Sequence, residues 1–110
     1  MNEIDFFGEA LAASRTFGLA LAIVYSRPYA IKLRLRKPEG TFIEAYHSQK
    51  TGRVSFALIK GGRRIYGADN KDGWHEHPYG EQERHFACRP FSISEFCEKA
   101  LSHLPSKPVK

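Results

Sequence analysis

The sequence has few of the features that mark a secreted, membrane-spanning or nucleotide-binding protein. It contains only two cysteines, Cys88 and Cys97, and two cysteines in a chain with no export signal are expected to be thiols rather than a disulfide. The longest apolar run, 19–25, is far too short to span a bilayer. The acidic N-terminus MNEIDFFGEA does not fit a signal peptide. There is no Gly-rich phosphate loop and no G-x-S-x-G motif. These absences favour a cytoplasmic protein without a membrane partner.

Acidic residues are scarce in one part of the chain. Residues 27–64 contain ten Lys or Arg against only Glu39 and Glu44, a local charge of +8 within a chain of net charge +5. A local excess of this kind is typical of a surface that binds a polyanion, and RNA is the expected partner. The alternative is a solvated face that only keeps the protein in solution.

The hydrophobic pattern predicts one compact α+β domain over 1–104 and a frayed tail over 105–110. In 31–36, Ile, Leu and Leu alternate with Lys32, Arg34 and Arg36, which is the period of a strand with one apolar and one basic face. Further strands are predicted within 19–37, broken at Pro28, and at 41–48, 53–60 and 63–69. Their short turns indicate an antiparallel meander of four to five strands, whose exposed edge near Pro28 could pair in a homodimer.

Two helices are predicted to flank the sheet. Residues 3–13 have Ile4, Phe7, Ala10 and Leu11 near helical spacing. Residues 92–104 begin with Ser92 and have Glu95 at the third helical position, the pattern of a capping box. An apolar stripe through this second helix is expected to pack on one face of the sheet, so that the basic face stays in water.

The stretch DGWHEHPYGEQERHF, 72–86, holds three of the five histidines. Cleavage of RNA needs a base for the 2′-hydroxyl, an acid for the departing 5′-oxygen and a cation for the charged phosphorane. Here His75, His77 and His85 offer the base and the acid, Arg84 offers the cation, and Tyr46 or Tyr79 offers a further proton donor. No cofactor is required. The predicted nucleic-acid contacts are Lys32, Arg34, Arg36, Arg53, Arg64, Tyr46 and Trp74, with Phe42 as a further base-stacking candidate.

Three other interpretations stay open at this stage. The basic sheet would bind nucleic acid or an acidic protein without catalysis. His75, His77 and His85, with Asp69 or Glu76, would ligate Zn or another divalent metal in a metal-dependent hydrolase, although H-x-H alone is a weak motif. The third possibility is that 72–86 is an exposed polar loop that Trp74 pins to the core.

The elements KLRLRKPEGTF, RVSFALI, RRIYGADN and WHEHP, with the later ERH, resemble the TumE-like proteins, a group of small bacterial and archaeal proteins. The resemblance covers residues 32 to about 100. It implies a toxin of a toxin–antitoxin pair that acts on RNA, with a helix-turn-helix antitoxin as partner. It also points to Arg64, Asp69, Asn70, His75, His77 and His85 as site residues. The chain differs from that pattern in its Lys-Asp-Gly-Trp insertion and in the spacing of its histidines.

Overall fold

A computed structural model describes residues 1–81 and 83–104 as two helices and a meander of seven antiparallel strands. The order along the chain is α1 (Glu3–Phe17), β1 (Ala20–Arg27), β2 (Ala30–Arg36), β3 (Phe42–Ser48), β4 (Val54–Lys60), β5 (Arg63–Asp69), β6 (His75–His77), β7 (Phe86–Ala87) and α2 (Ile93–Ser102). The predicted α+β class and antiparallel sheet are confirmed. The predicted tail, 105–110, lies outside the described residues.

The predicted count of four to five strands was too low. The two strands that it left out are β6 and β7, which lie in and directly after the histidine-rich stretch, where no strand was predicted. A strand of two or three residues is too short to display a period-two pattern in the sequence. Such a strand forms because it pairs with a neighbouring strand. β6 pairs with β5, and β7 pairs with β6.

The strand pattern of β2 is confirmed in detail. Ile31, Leu33 and Leu35 are buried, at 4% exposure or less. Lys32 and Arg34, which alternate with them, are half-buried on the opposite face. The predicted break at Pro28 is the tight connection between β1 and β2, which pair as a hairpin. One sheet face therefore carries the core, and the other presents the basic residues to water.

Helix α1 is longer than predicted, and its predicted buried face is correct at Ala10 but wrong at Ile4. It runs to Phe17 because Gly18 closes it in the left-handed conformation, with φ of 66°. Its buried residues include Phe6, Ala10 and Ala13, whereas Ile4, expected on the apolar face, is 81% exposed. Ile4 and Phe6 are both compatible with helical spacing, and the larger aromatic contact of Phe6 with the sheet decides which one is buried.

Helix α2 confirms its predicted start and its predicted packing. Ser92 Oγ accepts from the backbone N–H of Glu95, and the Glu95 side chain accepts from that of Ser92. Phe96 is fully buried between Phe56 and Tyr66, with ring centroids 5.0 and 5.3 Å away. Both cysteines are free, as expected, and burial raises the pKa of the Cys97 thiol to about 12. In the described part of the chain, neither helix is long and apolar enough to cross a membrane.

One buried histidine connects α1 to the sheet. His47 on β3 is 4% exposed, and its ring stacks on Phe6 at 5.1 Å. Its Nδ1 has no hydrogen-bond partner among the described residues, and the carboxylate of Glu3 lies 3.7 Å away. Burial lowers the pKa of His47 below its ordinary value of 6.5, and the nearby charge of Glu3 only partly opposes this.

This histidine is expected to make the fold sensitive to acid. Because its pKa is lower in the folded protein, the unfolded chain binds the proton more readily, and the free energy of unfolding falls as pH falls through the region around and below 6.5. We expect urea unfolding to show lower stability at pH 5.5 than at pH 7.5. His47→Phe, which keeps a ring against Phe6, should reduce that difference. An identical pH dependence in this variant would contradict the assignment.

Candidate nucleic-acid interface and histidine cluster

The face of the sheet opposite the helices, called the open face here, is organised by strand register. One row of cross-strand partners begins at Lys32 on β2 and continues through Tyr46, Ser55 and Asp69 to His75 on β6. A second row runs from Arg34 through Glu44, Ala57 and Gly67 to His77. Cross-strand partners lie on the same face of a sheet. The predicted basic residues and two of the predicted histidines therefore share one surface, and the two groups lie at opposite ends of it.

The predicted histidines come together at the β6 end of this face. Rings of His77 and His85 are 4.4 Å apart between centroids, and those of His75 and His85 are 5.8 Å apart. His77 Nε2 lies 3.1 Å from Asp69 Oδ2, which is hydrogen-bond distance. These four residues, Asp69, His75, His77 and His85, are called the histidine cluster below. The fifteen-residue stretch thus folds back so that His85, near β7, meets the two histidines of β6.

Accessibility differs within the histidine cluster. His77 is 5% exposed, His75 is half-buried and His85 is exposed. A group that transfers a proton to or from a substrate must be within hydrogen-bond reach of it. His75 and His85 are accessible enough to meet this requirement, whereas His77 is buried and packs against the His85 ring.

The Asp69 carboxylate is fixed as an anion. Its Oδ1 accepts from the backbone N–H of Lys71 at 3.0 Å, and its Oδ2 faces His77. Burial opposes ionisation of this group. The two hydrogen bonds and the positive charge of Arg53 outweigh burial and hold the pKa of Asp69 below its ordinary value. An ionised carboxylate at this distance fixes the orientation of the His77 ring.

The back of β6 is anchored by a separate polar network on the side of the helices. Glu76 Oε1 accepts from Tyr66 Oη and from Lys99 Nζ, each at 2.6 Å. Burial favours the protonated form of Glu76, but these hydrogen bonds hold its pKa below the ordinary value. Burial and the contact with Glu76 raise the pKa of Tyr66. The network ties β6 to α2, and it directs Glu76 away from the histidines.

The basic end of the open face contains ion pairs and cation–aromatic contacts. Glu44 lies between two cations, with Lys32 Nζ at 3.6 Å and Arg34 Nε at 3.2 Å. The Arg34 guanidinium lies 4.5 Å from the centre of the Phe42 ring. Arg36 is exposed at the end of β2. Cations beside aromatic rings are the combination that binds the backbone and the bases of single-stranded nucleic acid.

Arg53 and Arg64 extend the basic surface toward the histidine cluster. Arg53 lies immediately before β4, and its charge is one of those that lower the pKa of Asp69. Arg64 extends along β5 across Gly67, where an added Cβ would lie 3.4 Å from Arg64 Cδ and 3.1 Å from the Phe56 carbonyl oxygen. The tight contact is with the Phe56 carbonyl oxygen of the neighbouring strand, so the backbone of β4 is what favours a glycine at this position.

Three residues that the sequence suggested for the site lie elsewhere. Trp74 packs beside Phe56 and Phe91 on the helix-covered side, with ring centroids 6.3 Å from each, as in the interpretation in which it pins this stretch to the core. Tyr79 contacts His103 instead of the histidine cluster. The Asn70 side chain bridges the backbone of Gly52 and Val54 and so joins the β3–β4 turn to the end of β5.

Arg84, the predicted cation for the phosphorane, is engaged locally. Its Nη1 lies 3.1 Å from Glu81 Oε1, and its guanidinium lies 4.9 Å from the centre of the Phe86 ring. The side chain is 61% exposed, so the ion pair with Glu81 is weak. The role of Arg84 toward a substrate stays a prediction.

Sequence reasoning did not identify the small residues between the two ends of the open face. Ser55 and Ala57 on β4 form a trough bordered by Tyr46 and Glu44 on β3, and the neighbouring Gly67 on β5 lies beneath the Arg64 side chain. The sequence did contain an indication of this trough, because the small Ser55 and Ala57 alternate in β4 with the buried Phe56 and Leu58.

Comparisons with known proteins give no relative for this chain. No family model, no curated protein and no solved structure matches it. The resemblance to TumE-like proteins therefore stays a prediction. Within the described residues, no group of three or more His, Cys, Asp or Glu side chains is arranged to hold a metal ion.

Proposed function

We propose that this protein binds single-stranded RNA across the open face and cleaves it at the histidine cluster without a metal cofactor. The observation that supports this best is the register, in which the rows that begin at Lys32 and Arg34 end at His75 and His77. One strand of RNA following these rows would meet cations, stacking rings and then two accessible imidazoles.

The proposed reaction is an internal transesterification. One imidazole of His75 or His85 removes the proton from a 2′-hydroxyl, whose oxygen attacks the adjacent phosphorus. The other imidazole gives a proton to the 5′-oxygen as the P–O bond breaks. The products are a 2′,3′-cyclic phosphate and a 5′-hydroxyl. The two rings meet edge to face with centroids 5.8 Å apart, so the phosphate would lie against the pair and not between the rings.

His77 and Asp69 act as positioning residues in this scheme. The carboxylate orients the buried His77 ring, and that ring packs against His85 at 4.4 Å. Arg53, whose charge contributes to lowering the pKa of Asp69, and Arg84 are the candidate cations for the reacting phosphate.

A cleavage assay tests the proposal. Purified protein would be incubated with a single-stranded RNA and with the same sequence carrying 2′-O-methyl groups, each with and without EDTA. We expect the unmodified RNA to be cleaved and the 2′-O-methyl strand to stay intact, because the 2′-hydroxyl is the nucleophile. EDTA should leave the cleavage unchanged, because no metal takes part. Cleavage abolished by EDTA would support a metal-dependent hydrolase instead. Binding of both strands with cleavage of neither would support a non-catalytic RNA-binding module.

The basic stripe, defined as Lys32, Arg34 and Arg36, should determine how strongly RNA binding depends on salt. Each lost phosphate contact lowers the slope of log K against log salt concentration by about 0.7 for a single strand. The triple change to Gln should therefore reduce the slope by about 2, measured by fluorescence anisotropy on the 2′-O-methyl strand. Arg15→Gln, an exposed arginine on α1, is the control and should leave the slope unchanged. Equal slopes for the wild type and the triple variant would exclude the stripe from binding.

We further propose that this activity is that of a toxin, as the resemblance to TumE-like proteins implies. Expression in a bacterial host should then arrest growth, and a small helix-turn-helix protein should relieve the arrest. The measurement is growth after induction, with a His75→Ala, His85→Ala variant as the control. Growth arrest by the variant as well as by the wild type would show that toxicity does not depend on cleavage by these histidines.

A further inference from the structure

A cavity of about 350 Å³ opens on the open face, on the side of the trough away from the histidine cluster. Its lining includes Tyr25, Lys32, Glu44, Tyr46, Ser55 and Ala57. The cavity exists because Ser55 and Ala57 are small while the residues beside them on β3 are large. Its volume falls within the range of pockets that take small ligands.

The walls suit a planar ring that is joined to a phosphate. Tyr25 and Tyr46 stand on strands on either side of β2 and both line the cavity; one face of the Tyr25 ring carries the Arg27 guanidinium, 4.4 Å from the ring centre. Aromatic side chains of this kind stack on unpaired bases. Lys32 and Arg53, which also line the cavity, supply charge for the phosphate of the same nucleotide.

Glu44 supplies a means of selecting one base. Its two oxygens face Lys32 and Arg34, and each carboxylate oxygen has a further lone pair to offer. A carboxylate only accepts hydrogen bonds, so it favours a base edge with two adjacent N–H donors. Guanine presents N1–H beside its 2-amino group. Adenine, cytosine and uracil each place an acceptor next to their donor on that edge.

We propose that this cavity is a guanine subsite that selects the RNA sequence next to the cleaved phosphate. The inference rests on the proposed function and adds the identity of the substrate base. Ser55 pairs with Asp69, and Asp69 pairs with His75, so the Ser55 wall of the cavity lies two strand spacings, roughly 10 Å, from His75. A bound base and the neighbouring phosphodiester of the same strand are separated by a distance of this order.

The test is an NMR titration of the ¹⁵N-labelled protein with the 3′-monophosphates of guanosine, adenosine, cytidine and uridine. We expect the guanosine nucleotide to bind at least about tenfold more tightly than the other three. Its shifts should centre on Tyr46, Ser55 and Ala57. In Glu44→Gln the preference should fall to about equal binding. Glu98→Gln, an exposed carboxylate of α2 on the far side of the sheet, is the control and should keep it.

Equal binding of all four nucleotides by the wild type, or shifts that leave the cavity untouched, would overturn the proposal. The titration requires no cleavage, and His75→Ala, His85→Ala protein should show the same guanosine preference. A guanosine preference in a protein that never cleaves RNA would support this subsite and refute the ribonuclease. Cleavage that depends on the histidines, together with equal nucleotide binding, would refute the subsite alone.

Discussion

Replacing His75 and His85 together by alanine is expected to lower the rate of RNA cleavage by at least about 10²-fold, and up to 10⁴-fold. Both side chains are accessible and their rings meet edge to face, so they are the pair that can contact a substrate. The affinity for the 2′-O-methyl strand should stay within about threefold of wild type, because the basic stripe lies four strands away. Single-turnover cleavage and anisotropy measure the two quantities separately.

The control for this prediction is another histidine that lies away from the open face. His103, which follows α2, contacts Tyr66 and Tyr79, so His103→Ala removes an imidazole without touching the histidine cluster. It should cleave RNA at the wild-type rate. A folded double variant that retains full activity would show that the histidines do not perform the chemistry.

Replacing Phe96 by alanine is expected to lower the free energy of unfolding by about 3–5 kcal/mol. This side chain of α2 is fully buried, and its ring contacts Phe56, Tyr66 and Phe91 at 5.0–5.9 Å. A loss of that size is a large part of the stability of a small domain. Urea unfolding followed by circular dichroism gives the value.

The consequence should extend to the histidine cluster. Helix α2 supplies Lys99, which holds Glu76 on β6, so loosening the helix loosens the strand that carries His75 and His77.

Phe86→Ala is the matched control for the stability measurement, because Phe86 is 44% exposed and its loss should cost at most about 1 kcal/mol. Equal destabilisation by the two changes would contradict the packing described here.

Much of the fold follows from local patterns in the sequence. The alternation in β2 specified both faces of the sheet, and the capping box placed the start of α2, because each depends only on neighbours in the chain. In α1, Ala10 was placed correctly on the buried face and Ile4 was not, because Ile4 and Phe6 both fit helical spacing and only contact with the sheet selects Phe6. β6 and β7 exist through pairing alone, which the sequence does not display.

The location of the candidate site was predictable, but its internal arrangement was not. Proximity in the chain indicated that His75, His77 and His85 would lie together. It could not show that His77 is buried against Asp69, or that Trp74 faces the core while the histidines on either side of Glu76 face the open side. Those facts depend on the register of β5 and β6, since one residue of slip would exchange the two faces.

Analysis of the RNA product ends tests the central claim most directly. A short single-stranded RNA containing guanine would be digested in EDTA, and its products would be examined by mass spectrometry. Histidine-based transesterification predicts 2′,3′-cyclic phosphates and 5′-hydroxyls, formed by the wild type and by His103→Ala but not by the His75→Ala, His85→Ala variant. Products with 5′-phosphates and 3′-hydroxyls, or an RNA left intact by folded wild-type protein, would contradict it.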